Sequence, residues 1–113
     1  MAMKRMVLEF GMGTDIAGAD PTKAALRALR DALSHNSLSI ATALGQSPEA
    51  MTIDVYIGVP HPNEVDGAQV VAALPHGKGT VTVVDGGLEV HDGVGQARTL
   101  IANARAIVSL DIQ

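Results

Sequence analysis

The chain has 113 residues, a formal net charge of −4, 47% hydrophobic residues and no cysteine. That length holds one domain, spanning 1–113, with a modest core, and so apolar a chain is not disordered. The lack of thiols excludes disulfides, a thiolate nucleophile and a zinc ribbon.

Met6 to Phe10 is expected to form a strand, with Met6, Leu8 and Phe10 on one face. Gly11-Met12-Gly13-Thr14-Asp15 is expected to break it. A helix then begins at Asp20-Pro21, where Asp caps and Pro loses no hydrogen bond. Ala25, Leu26, Leu29, Ala32 and Leu33 form its apolar stripe. His35-Asn36-Ser37 interrupts the pattern, Ser37 or Ser39 caps a short second piece, and Gly45 ends it. Thr52 to Val59 alternates cleanly as a strand and is stopped by Pro60-His61-Pro62. Asp66 caps a short helix carrying Val70, Val71 and Leu74. Thr80 to Val84 and Leu88 to Val90 flank Asp85-Gly86-Gly87 as a predicted hairpin. Ala97, Leu100, Ile101 and Ala104 have helical spacing, which predicts a helix over 96–104, and Ala106 to Ile112 a last strand.

The predicted order is β-α-β-α-β-β-α-β, an α+β fold with a mixed sheet and helices on one face. The other face of such a sheet would be left open. Only Phe10 and Tyr56 are aromatic, so the core is built from small aliphatic side chains and each monomer buries little area. A homo-oligomer is therefore expected, the open face packing on another subunit. The acidic balance, scattered basic residues and lack of an aromatic platform argue against nucleic acid as a partner. No apolar run approaches a membrane span and no signal-peptide pattern is present, so the cytoplasm is the expected compartment.

Gly11-Met12-Gly13-Thr14-Asp15-Ile16-Ala17-Gly18, Arg30-Asp31-Ala32, His35-Asn36-Ser37, Gly58-Val59-Pro60 and Val84-Asp85-Gly86-Gly87-Leu88 together resemble the Lin-zero-five-one-two family of conserved hypothetical proteins, whose function is unknown. The resemblance covers nearly the whole chain. The family's first motif is similar to Gly-x-Gly-x-Asp-x-His-Gly, and Ala17 stands here in place of its histidine. The element order also resembles the chorismate-mutase-like fold of the YjgF/Rid proteins, which implies trimers with packed sheets, and the domains of ring-opening amidohydrolases. Fold likeness does not fix function.

Residues able to carry chemistry are few. Gly11 and Gly13, after a strand and before a helix, would let a ligand approach backbone amides, although Ile16 stands where a dinucleotide fingerprint needs its third glycine. Asp15 would orient a donor or act as a base, with Asp85 and His35 approaching from neighbouring loops. Each has a plainer reading: turn glycines, a turn carboxylate, a residue before two glycines, a helix-closing histidine. His61, His76 and His91 are scattered, no His-x-x-x-His exists, and neither a metal nor a cofactor is implied. A Ser–Lys pair of the amidohydrolase kind would have to use Lys78 with Ser37 or Ser39, residues distant in sequence. Two functions stay open: an oligomeric small-molecule-binding protein or enzyme with an interface site near the Gly11–Asp15 segment, and a structural or regulatory oligomer without catalysis.

Overall fold

The structure, a computed structural model, describes residues 2–34, 39–91 and 98–112. Its elements are β1 (Ala2–Asp15), α1 (Pro21–Leu33), α2 (Ile40–Ala43), β2 (Thr52–Gly58), α3 (Gly67–Ala72), β3 (Lys78–Val84), β4 (Leu88–His91) and β5 (Arg98–Ile112), with 3-10 turns at Pro48–Ala50 and Pro62–Glu64. The architecture is the expected α+β one: a five-stranded mixed sheet ordered β1-β5-β2-β3, with β4 paired to β5.

Strand β5 is central. It pairs antiparallel with β1 along almost its whole length, with β2 through Asn103–Ser109, and with β4 through Arg98–Ile101. Strand β4 thus continues the line that β2 leaves at Gly58. Strand β3 runs parallel to β2, as a crossover through α3 permits.

Helix α1 starts where its sequence says it should. Asp20 accepts hydrogen bonds from the Thr22 and Lys23 amides, at 3.0 and 3.3 Å, and Pro21 occupies the first turn. Its buried stripe of Ala24, Ala25, Leu26, Ala28, Leu29 and Ala32 lies on the sheet. Beneath it are Ala102, Ala104, Ala106 and Val108 of β5 and Ile53, Val55 and Ile57 of β2. Asp66 caps α3 through the Gln69 amide, and α3 packs beside α1 over β3. Leu74 fills the space that Gly79 leaves empty.

Three local expectations are corrected. Gly11 to Asp15 does not break β1 but forms its end. A Cβ on Gly13 would lie 2.2 Å from the Ala28 nitrogen, and one on Gly11 2.2 Å from that of Ala32. These glycines let α1 sit directly on the strand. Asp85-Gly86-Gly87 does not close a hairpin either. Strands β3 and β4 are unpaired with each other, and the segment carries the chain from the β3 edge across the end of β2 to β5. Gly87 has φ +64, and a Cβ there would meet the Ile101 carbonyl. The predicted helix over 96–104 is strand from Arg98 onward. Leu100, Ala102, Ala104 and Ala106 alternate inward there, and the β1 pairing overrides the helical spacing.

The helices all lie on one face of the sheet. Among the described residues the other face is uncovered and presents Leu8, Phe10 and Met12 of β1, Tyr56 of β2, Val84 of β3, and Leu88 and Val90 of β4, each at least two-fifths exposed. No helix among the described residues is long and apolar enough to cross a membrane.

Candidate functional site

Two groups of polar side chains gather at one end of the sheet. Here β1 ends and α1 begins, and the parallel strands β2 and β3 both finish. In open α/β sheets such an end, beyond the carboxyl termini of parallel strands, is where ligands collect.

Asp15 closes β1. It is the buried charged residue of the described set, 6% exposed. Its Oδ2 accepts a hydrogen bond from the Asp20 amide at 2.9 Å, and Arg27 of α1 reaches Oδ1 at 3.3 Å. The same guanidinium donates to the Thr14 carbonyl at 2.6 Å. Gly18 is packed so closely against the carboxylate that a Cβ would lie 2.5 Å from Oδ2. Asp15 therefore organises the β1–α1 connection. Ala17 and Ala19 are held there at φ 64 and 51, a left-handed conformation disfavoured for alanine.

The second group is centred on Glu89 of β4. Glu89 lies in the same row across the sheet as Asp15, with Leu100 of β5 between them. Its carboxylate contacts Nε2 of His61, Nε2 of His91 at 3.0 Å and the Arg98 guanidinium at 3.5 Å. His61 Nδ1 faces Glu64 at 3.6 Å. His61 is presented by the Pro60-His61-Pro62 segment with φ 58. The hydrogen bond from His61 holds the Glu89 carboxyl below the usual carboxylate range, helped by His91 and Arg98 and opposed by desolvation. Position explains the spacing: Glu89 and His91 are two apart on one strand and share a face, and Arg98 is directly opposite His91 on β5. Among the described residues no group of three or more His, Asp or Glu is arranged to hold a metal ion.

The residues singled out from the sequence are dispersed. Gly11 and Gly13 face α1, and their Cα atoms abut the helix backbone. Asp15 faces its own turn. Asp85 follows β3, at the opposite sheet edge from β1. At about 4.8 Å per strand spacing, three spacings put it roughly 14 Å from the β1 row. His35 lies outside the described residues, as do Asn36 and Ser37. His61, Glu89, His91 and Arg98 carried no sequence signal as a set, because the pairing of β4 with β5 brings them together.

The open face holds one more polar feature. Arg105 of β5 stands between Phe10 of β1 and Tyr56 of β2 in register. Its guanidinium carbon lies 4.3 Å from the centre of the Tyr56 ring, a cation–π contact. Its Nε is buried and has no hydrogen-bond partner. Next to it Asp54 accepts a hydrogen bond from the Thr80 hydroxyl at 2.6 Å.

Fold and site together define a two-layer α+β protein: a mixed sheet covered by helices on one face, with a polar cluster at the carboxyl ends of its parallel strands. The chain belongs to the conserved hypothetical protein family Lin0512_fam, whose model matches residues 5–109. It is similar to a protein from Nostoc punctiforme described as an FtsZ-like protein of unknown function, with 40% identity, a TM-score of 0.84 and 99% of each chain covered. No protein of curated function matches the sequence.

Proposed function

We propose that this protein works as a homo-oligomer assembled through the open face of its sheet. One observation carries this reading: Phe10, Met12 and Leu88 are each more than half exposed on that face, with Leu8, Tyr56, Val84 and Val90 around them. So many exposed apolar side chains on one face of a small domain mark an interaction site. The expected result is that sedimentation equilibrium at micromolar concentration gives a multiple of the 11.6 kDa chain mass, and that Phe10→Asp shifts it toward the single chain. A wild-type protein that remains at the single-chain mass at tens of micromolar would refute the reading.

The polar end favours a second role, small-molecule binding by the assembled protein. Its support is the grouping of His61, Glu89, His91 and Arg98 where β2 and β3 end. Ligand-observed NMR against a library of small polar molecules tests it: hits should be weakened by Glu89→Gln and left alone by Glu49→Gln. Hits indifferent to Glu89→Gln would place binding elsewhere.

A further inference from the structure

We infer that the open face is self-complementary in charge, with Arg105 of one copy pairing with Asp54 of the partner subunit, and the reverse, across a two-fold axis. The inference rests on the assembly reading above and specifies its partner, its symmetry and its register.

The starting observation is a cation without a counter-ion. Arg105 stacks on Tyr56, its Nε is shut away from solvent without a hydrogen-bond partner, and among the described residues no hydrogen bond or ion pair engages its guanidinium. A planar fork with five donors suits a carboxylate held side by side with it. Leaving that fork unpaired in a surface of Phe10, Met12 and Tyr56 is costly once the surface is covered. Whatever covers the face must therefore bring an anion to this place.

A second copy brings one. Asp54 sits on the same face of the neighbouring strand. It is paired in register with Ile107, one same-face step from the Tyr56–Arg105 pair. The two side chains are diagonal neighbours, about 7–8 Å apart between backbones. Within one chain they do not meet: Arg105 turns to Tyr56, and Asp54 takes the Thr80 hydroxyl. A carboxylate has acceptor positions to spare after one such bond.

Consider two such faces packed about 10 Å apart, as stacked sheets are. A two-fold axis in the plane between them, passing midway between Arg105 and Asp54, lays each arginine over the other copy's aspartate. One residue pair then generates two identical ion pairs, the hallmark of an isologous contact. Phe10, Leu8, Met12 and Tyr56 ring the pairs and exclude water from them. The area suffices. Four strands at about 4.8 Å and roughly ten residues at about 3.4 Å give a face on the order of 650 Å² before side-chain relief is counted. A stable interface needs about 800 Å² per partner.

Charge reversal tests the pairing. Full-length wild type, Arg105→Glu, Asp54→Arg and the double variant are compared by sedimentation equilibrium over a concentration series. Circular dichroism melts confirm that each is folded, and Arg105→Met and Asp54→Asn serve where a reversal prevents folding. The expected result is a wild-type mass twice that of the chain, each single reversal weakening association at least tenfold, and the double variant recovering to within about threefold of wild type. A wild-type monomer would overturn the assembly reading itself. A wild-type dimer whose single reversals leave association unchanged, or whose double variant fails to recover, would overturn the pairing and leave assembly standing. Association that needs Arg105, ignores Asp54→Arg and strengthens with added citrate would assign the arginine to a free carboxylate and equally refute the pairing.

Discussion

Replacing Gly13 by alanine adds one methyl group where the backbones of α1 and β1 meet. The new Cβ would stand 2.2 Å from the Ala28 nitrogen, 2.4 Å from the Ala24 oxygen and 2.7 Å from the Arg27 carbonyl carbon. Carbon contacts are comfortable near 3.5 Å, so helix and strand must part by roughly 1 Å. Every atom struck is backbone, and no rotamer change can absorb the clash. A gap of 0.5–1 Å forfeits about a quarter to a half of the dispersion energy across it. The gap would open beneath Ala24, Ala25, Ala28, Leu29 and Ala32, all of which are buried. Overpacking commonly costs about 1–3 kcal/mol, and this site belongs at the upper end, about 3 kcal/mol. The loss of unfolded-chain entropy returns only about 0.4–1 kcal/mol. In urea, with a slope of about 1–3 kcal/mol/M, the midpoint should fall by roughly 1 M or more. Gly67→Ala is the control. Gly67 opens α3, nothing lies within 4 Å of its would-be Cβ, and the change should stabilise by about 0.4–1 kcal/mol. Adding Ala28→Gly to Gly13→Ala should rescue nothing, since the Ala28 side chain is not what is struck. A Gly13→Ala protein within 0.5 kcal/mol of wild type, an allowance of ordinary surface size, would refute the claim that these glycines exist for helix contact.

Three further outcomes are expected. Ala17→Gly relieves a left-handed alanine at φ 64 and should raise stability by about 0.5–1 kcal/mol, read as a Tm higher by roughly 2–5 °C; an unchanged or lowered Tm would contradict it. Asp15→Ala leaves the half-buried Asp20 amide without its acceptor and should cost about 1–3 kcal/mol, whereas Asp15→Asn keeps an oxygen there and should lose much less, both measured by urea titration. The lowered folded-state pKa of Glu89 means that its contribution is present above the ordinary value of 4.5 and is lost as pH falls through the folded value; carboxyl NMR titration should find Glu89 below 4.5 in the wild type and raised toward it in His61→Ala, and identical titrations would discard the His61 contact.

Much of the fold was legible because it rests on local chemistry. The Asp20-Pro21 cap, the α1 stripe, the Thr52–Val59 alternation and the Asp66 cap are each written within a few residues, and each appears where expected. The failures share one physical cause, the small residues demanded by α1. The helix lies so near the sheet that the strands beneath it carry glycine and alanine, the residues poorest in strand signal. In β1 this made Gly11 and Gly13 look like a loop. In β5 it filled the inward positions with Ala102, Ala104 and Ala106, so that alanine's helical propensity and the chance spacing of Leu100, Ile101 and Ala104 outweighed the true alternation. The site was illegible for a different reason. Asp85-Gly86-Gly87 has hairpin composition, and only tertiary pairing shows that it bridges to β5 instead. With β4 placed beside β3, Glu89 and His91 would be far from Arg98. With β4 placed beside β5, Glu89 meets His61, His91 and Arg98 together. A single misassigned turn therefore hid both the polar cluster and the continuity of the open face, because β4 supplies Glu89 and His91 to one side of the sheet and Leu88 and Val90 to the other.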